Sequence, residues 1–458
     1  MGVITRKEAL LDGAGTGDEG SIGRFPSRAH PRTMPMSTIL HACLAAAAIG
    51  LAAAAAQAAG PLHLACSDLG EEQALCREEA AAWSRQTGQA VEVVSVPSDA
   101  SERLALYQHV LAGDHAQLDV IQLDVAQAGL LGRYLLDLAP LVHGAERQHF
   151  PGLLEASRLE GRLVAMPWFA DAGLLFYRQD LLDKYHLAPP QTWEQLQREA
   201  QAVQRGERAA GHARLWGYVW QGRPYEGLTC NALEWLQSWD AGSIIERDGR
   251  VTVDNPRAAE ALGMAAAWVG RISPTAVLDF SEEESRGVFQ AGNAVFMRNW
   301  PYAWAQAQAP GSPVRGKVGV TRLPAGPGPN GRHAAALGGQ ALAVTASSAH
   351  PREAAELVLY LTSAAVEKQR AIRGSYNPSV VALYDDADIR RSNPFMVSLR
   401  DVFAAAAVRP TSVVDGRYNA VSSEFYNAVH EVLSHTTEPR DAVARLAGRL
   451  RQLAREQP

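Results

Sequence analysis

The chain lacks most of the motifs by which catalysis is usually recognised. Its 458 residues contain no H-E-x-x-H, no C-x-x-C, no G-x-S-x-G and no phosphate-binding P-loop. Its 13 histidines are scattered without the spacing of metal ligands. Those absences lower the case for an enzyme, but they do not remove glycosidases, which need two carboxylates and no local motif. Block charge is missing too. Beyond position 58 the chain keeps 38 basic and 45 acidic residues, interspersed, so nucleic acid is excluded as a partner. No repeat of 20–50 residues is present. Cysteine is scarce, at four.

What is present begins with a leader, residues 1–58. Ile39 to Ala56 is almost wholly apolar and ends at Ala56-Gln57-Ala58, a small-x-small cleavage pattern, with Arg24, Arg28 and Arg32 upstream. This reads as a cleaved secretory signal peptide and predicts a periplasmic protein; an uncleaved anchor is the lesser reading. Residues 1–33 show no hydrophobic period, so Met34 or Met36 is a candidate start, and Gly13-Ala-Gly15-Thr-Gly17 has no strand before it to make a nucleotide fingerprint. In an oxidising compartment Cys66 and Cys76 can close a disulfide. Cys43 leaves with the signal, and Cys230 is the odd one, a small buried hydrophobe. His63-Leu64-Ala65 is a poor lipobox, which argues against a lipid anchor at Cys66.

Strand and helix signals alternate after the leader. Leu62–Cys66, Val91–Val96 and Asp119–Asp124 read as strands, and Glu71–Gln86 as a helix. Asp99-Ala-Ser-Glu102 and Thr192-Trp-Glu-Gln195 read as capping boxes; Ser281 to Glu284 and Asp254-Asn255-Pro256 also open helices. Ala294–Arg298, Gly316–Val320 and Ala341–Thr345 are strands, with Gly338-Gly339 placed just before the last. Pro351–Leu361 is a helix, and helical segments near 394–406 and 420–454 close the chain. The alternation predicts an α/β fold with a largely parallel sheet, in which Asp124 stands at a strand's carboxyl end, where ligands bind. Nine of the ten Trp fall between residues 168 and 304, marking a segment of its own character.

One stretch organises the rest. In Met166 to Arg178 the strand-like run Leu163–Met166 is joined to the run Leu174–Tyr177 through Pro167, Trp168, Phe169, Asp171 and Gly173. Pro167 lacks an N–H for a ladder and Gly173 loosens the backbone, so the stretch reads as a crossing between two sheets. Ring faces beside a carboxylate suit a ligand apolar on one face and hydroxylated at its edge, as a sugar is.

Eight segments stand out together: Ala65-Cys-Ser-Asp-Leu-Gly-Glu-Glu72, Ser101-Glu-Arg-Leu-Ala-Leu-Tyr107, Leu123-Asp-Val125, Pro167 to Arg178, Val219 to Gly227, Phe289 to Trp304, Gly374-Ser-Tyr-Asn-Pro378 and Val408-Arg-Pro410. Through them the chain resembles the periplasmic solute-binding proteins of carbohydrate ABC transporters (extracellular solute-binding family 1), within them the trehalose/maltose-binding group. The resemblance spans essentially residues 62–450. It implies a two-lobed periplasmic-binding-protein fold of type II, maltose-binding-protein-like, with three crossings and a cleft between the lobes. The first lobe would comprise 59–168 and 322–380, the second 169–321 and 381–452. It further implies a monomer without cofactor or metal, not an enzyme, that captures a small carbohydrate such as trehalose, maltose or sucrose by hinge closure and delivers it to membrane permease domains.

Residue roles follow from the same resemblance. Glu72, Arg103 and Asp124 match first-lobe polar contacts, Asp171 a hydroxyl-binding carboxylate, and Phe169 a tyrosine platform. Trp300 and Tyr302 match aromatic platforms, Gly338, Gly339 and Gln340 a Gly-Gly-aromatic segment, and Arg409 an arginine reaching the cleft. Trp304 is assigned to the core, and Arg298, as an interlobe ion-pair residue, is kept out of the site. Two departures stand out: Gln340 and Gln127 replace rings, which predicts an altered or relaxed glycan preference with amides bonding hydroxyls. Plainer roles compete, such as solvated helix-start carboxylates at Glu71 and Glu72 or core aromatics at 300, 302 and 304. The alternative function is a secreted glycan-acting hydrolase using paired carboxylates.

Overall fold

The computed structural model describes residues 60–113, 118–246, 248–404 and 406–455. The expected leader, signal peptide and Cys43 lie outside the described residues. The chain enters with β1 (Leu62–Ser67), α1 (Gly70–Thr87) and β2 (Val91–Val96), with β1 and β2 parallel and Leu62 opposite Val91. A disulfide ties Cys66 at the end of β1 to Cys76 in α1. Asp99 caps α2 (Ala100–Leu111) by accepting from the Ser101 and Glu102 N–H groups. The return bond of a capping box is absent there, as it is at Thr192, whereas Ser281 and Glu284 form both halves. Next comes β3 (Val120–Asp124), parallel to β1.

Then the chain changes sheets. β4 (Met166–Ala172) and β5 (Leu174–Arg178) are separated by Gly173 alone, yet they belong to different sheets. Pro167 is accommodated where the register of β4 against its partner slips, with Gln340 opposite Phe169 and Ala341 opposite Pro167. The extra residue, Trp168, makes this a bulge, a setting in which a strand tolerates proline.

The small sheet is built by β5 with β6 (Trp216–Val219), β7 (Ala294–Asn299) and β8 (Val318–Arg322), in the order β8-β5-β7-β6. Around it lie α3 (Trp193–Ala209), α4 (Glu226–Ser238), α5 (Pro256–Ala266) and α6 (Glu282–Gln290). β9 (Leu337–Val344) returns to the large sheet, followed by α7 (Pro351–Leu361), α8 (Ala364–Gly374) and β10 (Asn377–Pro378). The large sheet runs β10-β4-β9-β3-β1-β2. Gly338 and Gly339 sit inside β9, not before it. Helices α9 (Tyr418–Leu433) and α10 (Pro439–Arg455) pack on the small-sheet side.

The two-lobed α/β fold is the one expected, but the largely parallel sheet is not. Only β1–β2, β1–β3 and β6–β7 pair parallel; β4, β9, β5 and β8 make antiparallel ladders. Strands fed from the neighbouring sheet need no helical return and can enter in either direction. The 420–454 segment is two helices, because the chain turns after Leu433 and Pro439 starts a new one; 394–406 likewise breaks into the short helices Pro394–Ser398 and Arg400–Ala404. The concentration of tryptophan has a packing cause. Trp193, Trp220, Trp235 and Trp268 are buried together beside the small sheet, with ring centroids 5.1 Å apart for Trp220–Trp235 and 5.5 Å for Trp193–Trp268. Cys230 in α4 is free and buried, and lines the cavity described below.

Candidate functional site

Between elements of the two sheets lies a cavity of about 310 Å³, and all eleven expected residues line it: Glu72, Arg103, Asp124, Phe169, Asp171, Trp300, Tyr302, Gly338, Gly339, Gln340 and Arg409. Its large-sheet wall is polar. Gln122 on β3 donates to Glu72 Oε1 (2.5 Å) and to Gln340 Oε1 (3.3 Å), and Arg103 Nη2 donates to the same Gln340 oxygen (2.9 Å). Nη1 of Arg103 donates to the carbonyls of Pro97 and Ser98, at 2.8 and 2.9 Å, while its Nε is buried without a hydrogen-bond partner among the described residues. Glu72 is 5% exposed; burial pushes its carboxyl up, and Arg370 and Arg103 pull it partly back. The Asp171 side chain makes no hydrogen bond among the described residues. Burial, and then the carboxylates of Glu72 and Asp124, hold it well above the usual aspartate range.

Two glycines shape this wall. A Cβ on Gly339 (φ 122°) would lie 2.3 Å from the Phe169 carbonyl, and one on Gly338 would lie 3.0 Å from the Trp300 ring. Only glycine lets β9 pass this close to both. Phe169 packs against Tyr376 (centroids 4.9 Å), and Arg370 lies 3.9 Å from the Trp168 centroid and 4.8 Å from that of Tyr376.

Rings dominate the opposite wall. Trp300 follows β7 and donates its indole N–H to Glu282 Oε1 (3.1 Å); Tyr225 donates to Glu282 Oε2 (2.5 Å) and Tyr302 to Glu283 Oε1 (2.6 Å). Burial and the nearby carboxylates keep both phenols well above their ordinary range, hence protonated donors. Glu282 and Glu283 are available because the capping box starts α6 here, which the sequence showed only as a helix signal.

Arg409 is less free than its expected role suggests. Its guanidinium bridges Asp124 Oδ1 and Glu226 Oε1, both at 2.8 Å, and Glu226 also accepts from Tyr418 (2.5 Å) and Ser422 (2.6 Å). Arg223 pairs with Asp99, which joins the two walls directly, and Ser101 Oγ accepts from the Glu226 N–H at 3.4 Å. Ten carboxylates and three guanidiniums line the cavity in all, and each guanidinium is engaged within the protein.

Some placements differ from expectation. Gln127 does not line the cavity: it is buried, and its amide donates to the Ala100 carbonyl at the start of α2 (2.9 Å). Arg298 pairs with Glu234 of α4, beside its own sheet, and is not an interlobe ion-pair residue. Trp304 packs on Phe395 away from the cavity, as assigned. The lining also contains Tyr376, Arg223, Tyr225, Glu226, Gln122, Glu282 and Glu283, which the sequence reading did not select. Tyr376 and Tyr225 lie inside segments that carried the resemblance; Gln122 shows no signal beyond its buried strand. Among the described residues no cluster of His, Cys, Asp and Glu could hold a metal, and no helix is long and apolar enough to cross a membrane.

With this geometry in place, comparison with known proteins is decisive. A family described as bacterial extracellular solute-binding protein matches residues 67–368. The chain belongs to that family. A probable ABC transporter-binding protein of Deinococcus radiodurans is 47% identical over 414 residues, covering 89% of this chain and 98% of the relative. Maltose-bound T. maritima MalE3 is similar in structure, with a TM-score of 0.81 and 36% identity over 86% of this chain and 99% of that one. The GacH receptor of Streptomyces glaucescens, solved with acarbose, shares the fold at a TM-score of 0.76 and 21% identity, over 87% of this chain and 99% of that one. The solute-binding family thus accounts for the two lobes and for a cavity lined by groups from both.

Proposed function

We propose that this solute-binding protein captures a small neutral glycan, of the trehalose, maltose or sucrose class, and delivers it to the permease domains of an ABC importer. One observation carries the reading: acceptors and ring faces attached to two different sheets converge on one cavity, with the Asp171 side chain left without a hydrogen-bond partner among the described residues. Hydroxyls can satisfy both walls only when the lobes meet, so the ligand biases an open–closed equilibrium. The excess of carboxylates, ten against three guanidiniums of which Arg223 and Arg409 are already paired, weighs against an anionic solute. The likeness to a maltose-bound protein at 36% identity supports a disaccharide. Export through a cleaved signal peptide, a periplasmic location and a monomeric state go with this reading.

Gln340 supports a preference moved from trehalose. It offers an amide where the resembling group has a ring, and its oxygen is already held by Arg103 and Gln122, leaving the NH₂ for the ligand. Gln127, turned into the protein, plays no part. Titration calorimetry with trehalose, maltose and sucrose tests both levels. Binding of more than one of them is expected; micromolar trehalose binding with no other ligand would sink the altered preference, and no binding at all would sink the sugar. The hydrolase alternative predicts released monosaccharide, and Asp124, locked to Arg409, is withdrawn from any such carboxylate pair. We infer a binding protein without catalysis.

A further inference from the structure

A buried ion pair lies against both backbone passages between the sheets. Arg298 and Glu234 are each 1% exposed at the side chain and meet through two parallel bonds, Nε to Oε2 at 2.9 Å and Nη2 to Oε1 at 2.5 Å. Glu234 Oε1 also accepts the N–H of Ala336, at 3.1 Å, where the chain is about to enter β9. At the other passage, between β4 and β5, a Cβ on Gly173 would fall 2.0 Å from that same oxygen and 2.7 Å from Arg298 Nη2. The crossing residue is therefore a glycine because the ion pair occupies the place of a side chain. On its far side Arg298 lies 3.9 Å from the centroid of Trp300, two residues along, and donates to Gln221 Oε1 at 3.0 Å. Trp300 stands one residue beyond the end of β7, and the strand's two-residue period carried one step further puts its ring on the side of the Arg298 guanidinium.

We propose that Arg298 and Glu234 are positioning residues that fix the Trp300 ring relative to the two backbone passages, so that ligand seated on the ring and movement of the lobes become one event. The proposal rests on the reading of the cavity as a glycan site. A planar guanidinium is needed for it, since only a fork can hold both Glu234 oxygens while stacking on an indole. Lysine would keep the charge and lose the geometry. The pair is also a poor candidate for stability alone, because buried ion pairs repay their desolvation only in part.

The test uses Arg298→Lys and, since removing one buried charge can prevent folding, the charge-neutral double variant Arg298→Met with Glu234→Gln. In ¹⁵N-Trp-labelled protein the indole resonance of Trp300, assigned through Trp300→Phe, should shift in both variants without ligand. The Ala336 amide should exchange at least tenfold faster in the double variant. Affinity for whichever of trehalose, maltose and sucrose the wild type binds best should fall at least tenfold in folded Arg298→Lys, with less compaction on binding in small-angle scattering. An unmoved indole resonance with affinity within twofold overturns the proposal. A wild type that binds none of the three sugars overturns the glycan reading instead, and the indole and Ala336 signals still decide the positioning role.

Discussion

On the wall formed around the small sheet, the rings of Trp300, Tyr302 and Tyr225 are each tied through their polar atom to Glu282 or Glu283. On the wall formed by the large sheet, the Asp171 side chain has no hydrogen-bond partner among the described residues, and Glu72 gives one oxygen to Gln122 and shows no partner for the other. The first wall is finished before a ligand arrives. The second holds acceptors in reserve, at the cost of crowding carboxylates whose ionisation burial already opposes. On the proposed glycan reading, orientation would come from the rings, whose ordering has been completed in the fold, and most of the gain on binding from the waiting carboxylates. A site built this way is less stable than it could be when empty.

That contrast is broken most severely at Asp171. Asp171→Asn removes the acceptor charge, and loss of a charged hydrogen bond of roughly 1.5–3 kcal/mol should weaken glycan binding by tenfold or more. The empty protein should nonetheless melt higher. In the fold the carboxyl stays protonated to a higher pH than in the unfolded chain, so its presence makes stability fall as pH rises above the ordinary aspartate range. Calorimetry and melting at pH 7 would check both signs; lower affinity together with a lower melting temperature would contradict the reserve-acceptor view.

Trp300→Phe probes the other wall. It keeps a ring and loses the indole N–H to the Glu282 carboxylate, a bond to a charged group worth roughly 1.5–3 kcal/mol to the fold. Affinity should drop about three- to tenfold, and here the empty protein should melt lower, because this bond is already made before ligand binds. The same assays apply. Opposite changes in melting temperature at the two walls are the signature to look for.

How far this site was legible follows from how local each cause is. Asp171 and Phe169 could be read because Pro167 and Gly173 mark the crossing within a dozen residues. Asp124 could be read because it ends a buried strand. The lock on Arg409 could not: Glu226 and Tyr418 belong to separate helices, and nothing near Val408-Arg-Pro410 says which carboxylates will meet it. Gln127 was misplaced for the same reason, since the choice between the cavity and the Ala100 carbonyl is made by α2 packing alongside. Strand order failed similarly. The apolar run Ala341–Thr345 marks β9 as a strand, but β4 occupies Met166–Ala172, residues read as the crossing itself, and the antiparallel pairing of the two depends on the passages at Gly173 and Ala336.

The smallest effect concerns what lies behind the polar wall. β10 edges the large sheet beside β4, and Ser379, just after it, donates to Glu367 Oε1 at 2.6 Å and approaches the Pro167 carbonyl. Burial pushes Glu367 up to about 8 and holds His149 down to about 4. Near neutral pH the acid is thus protonated and the imidazole neutral, so their 3.8 Å approach is not an ion pair. The signs oppose each other. Glu367 binds a proton more readily in the fold, so it makes stability fall as pH climbs from about 4.5 to about 8. His149 binds one less readily, and its contribution, complete above about 6.5, is lost as pH falls toward about 4. Of these two, only the glutamate acts above pH 6.5, and Glu367→Gln should lessen the decline in melting temperature between pH 6.5 and 8. If the decline persists unchanged in that variant, Glu367 is not its source. If glycan affinity also stops varying over that interval, the support beneath Phe169 and Asp171 is shown to move with Glu367, and the polar wall is the adjustable one.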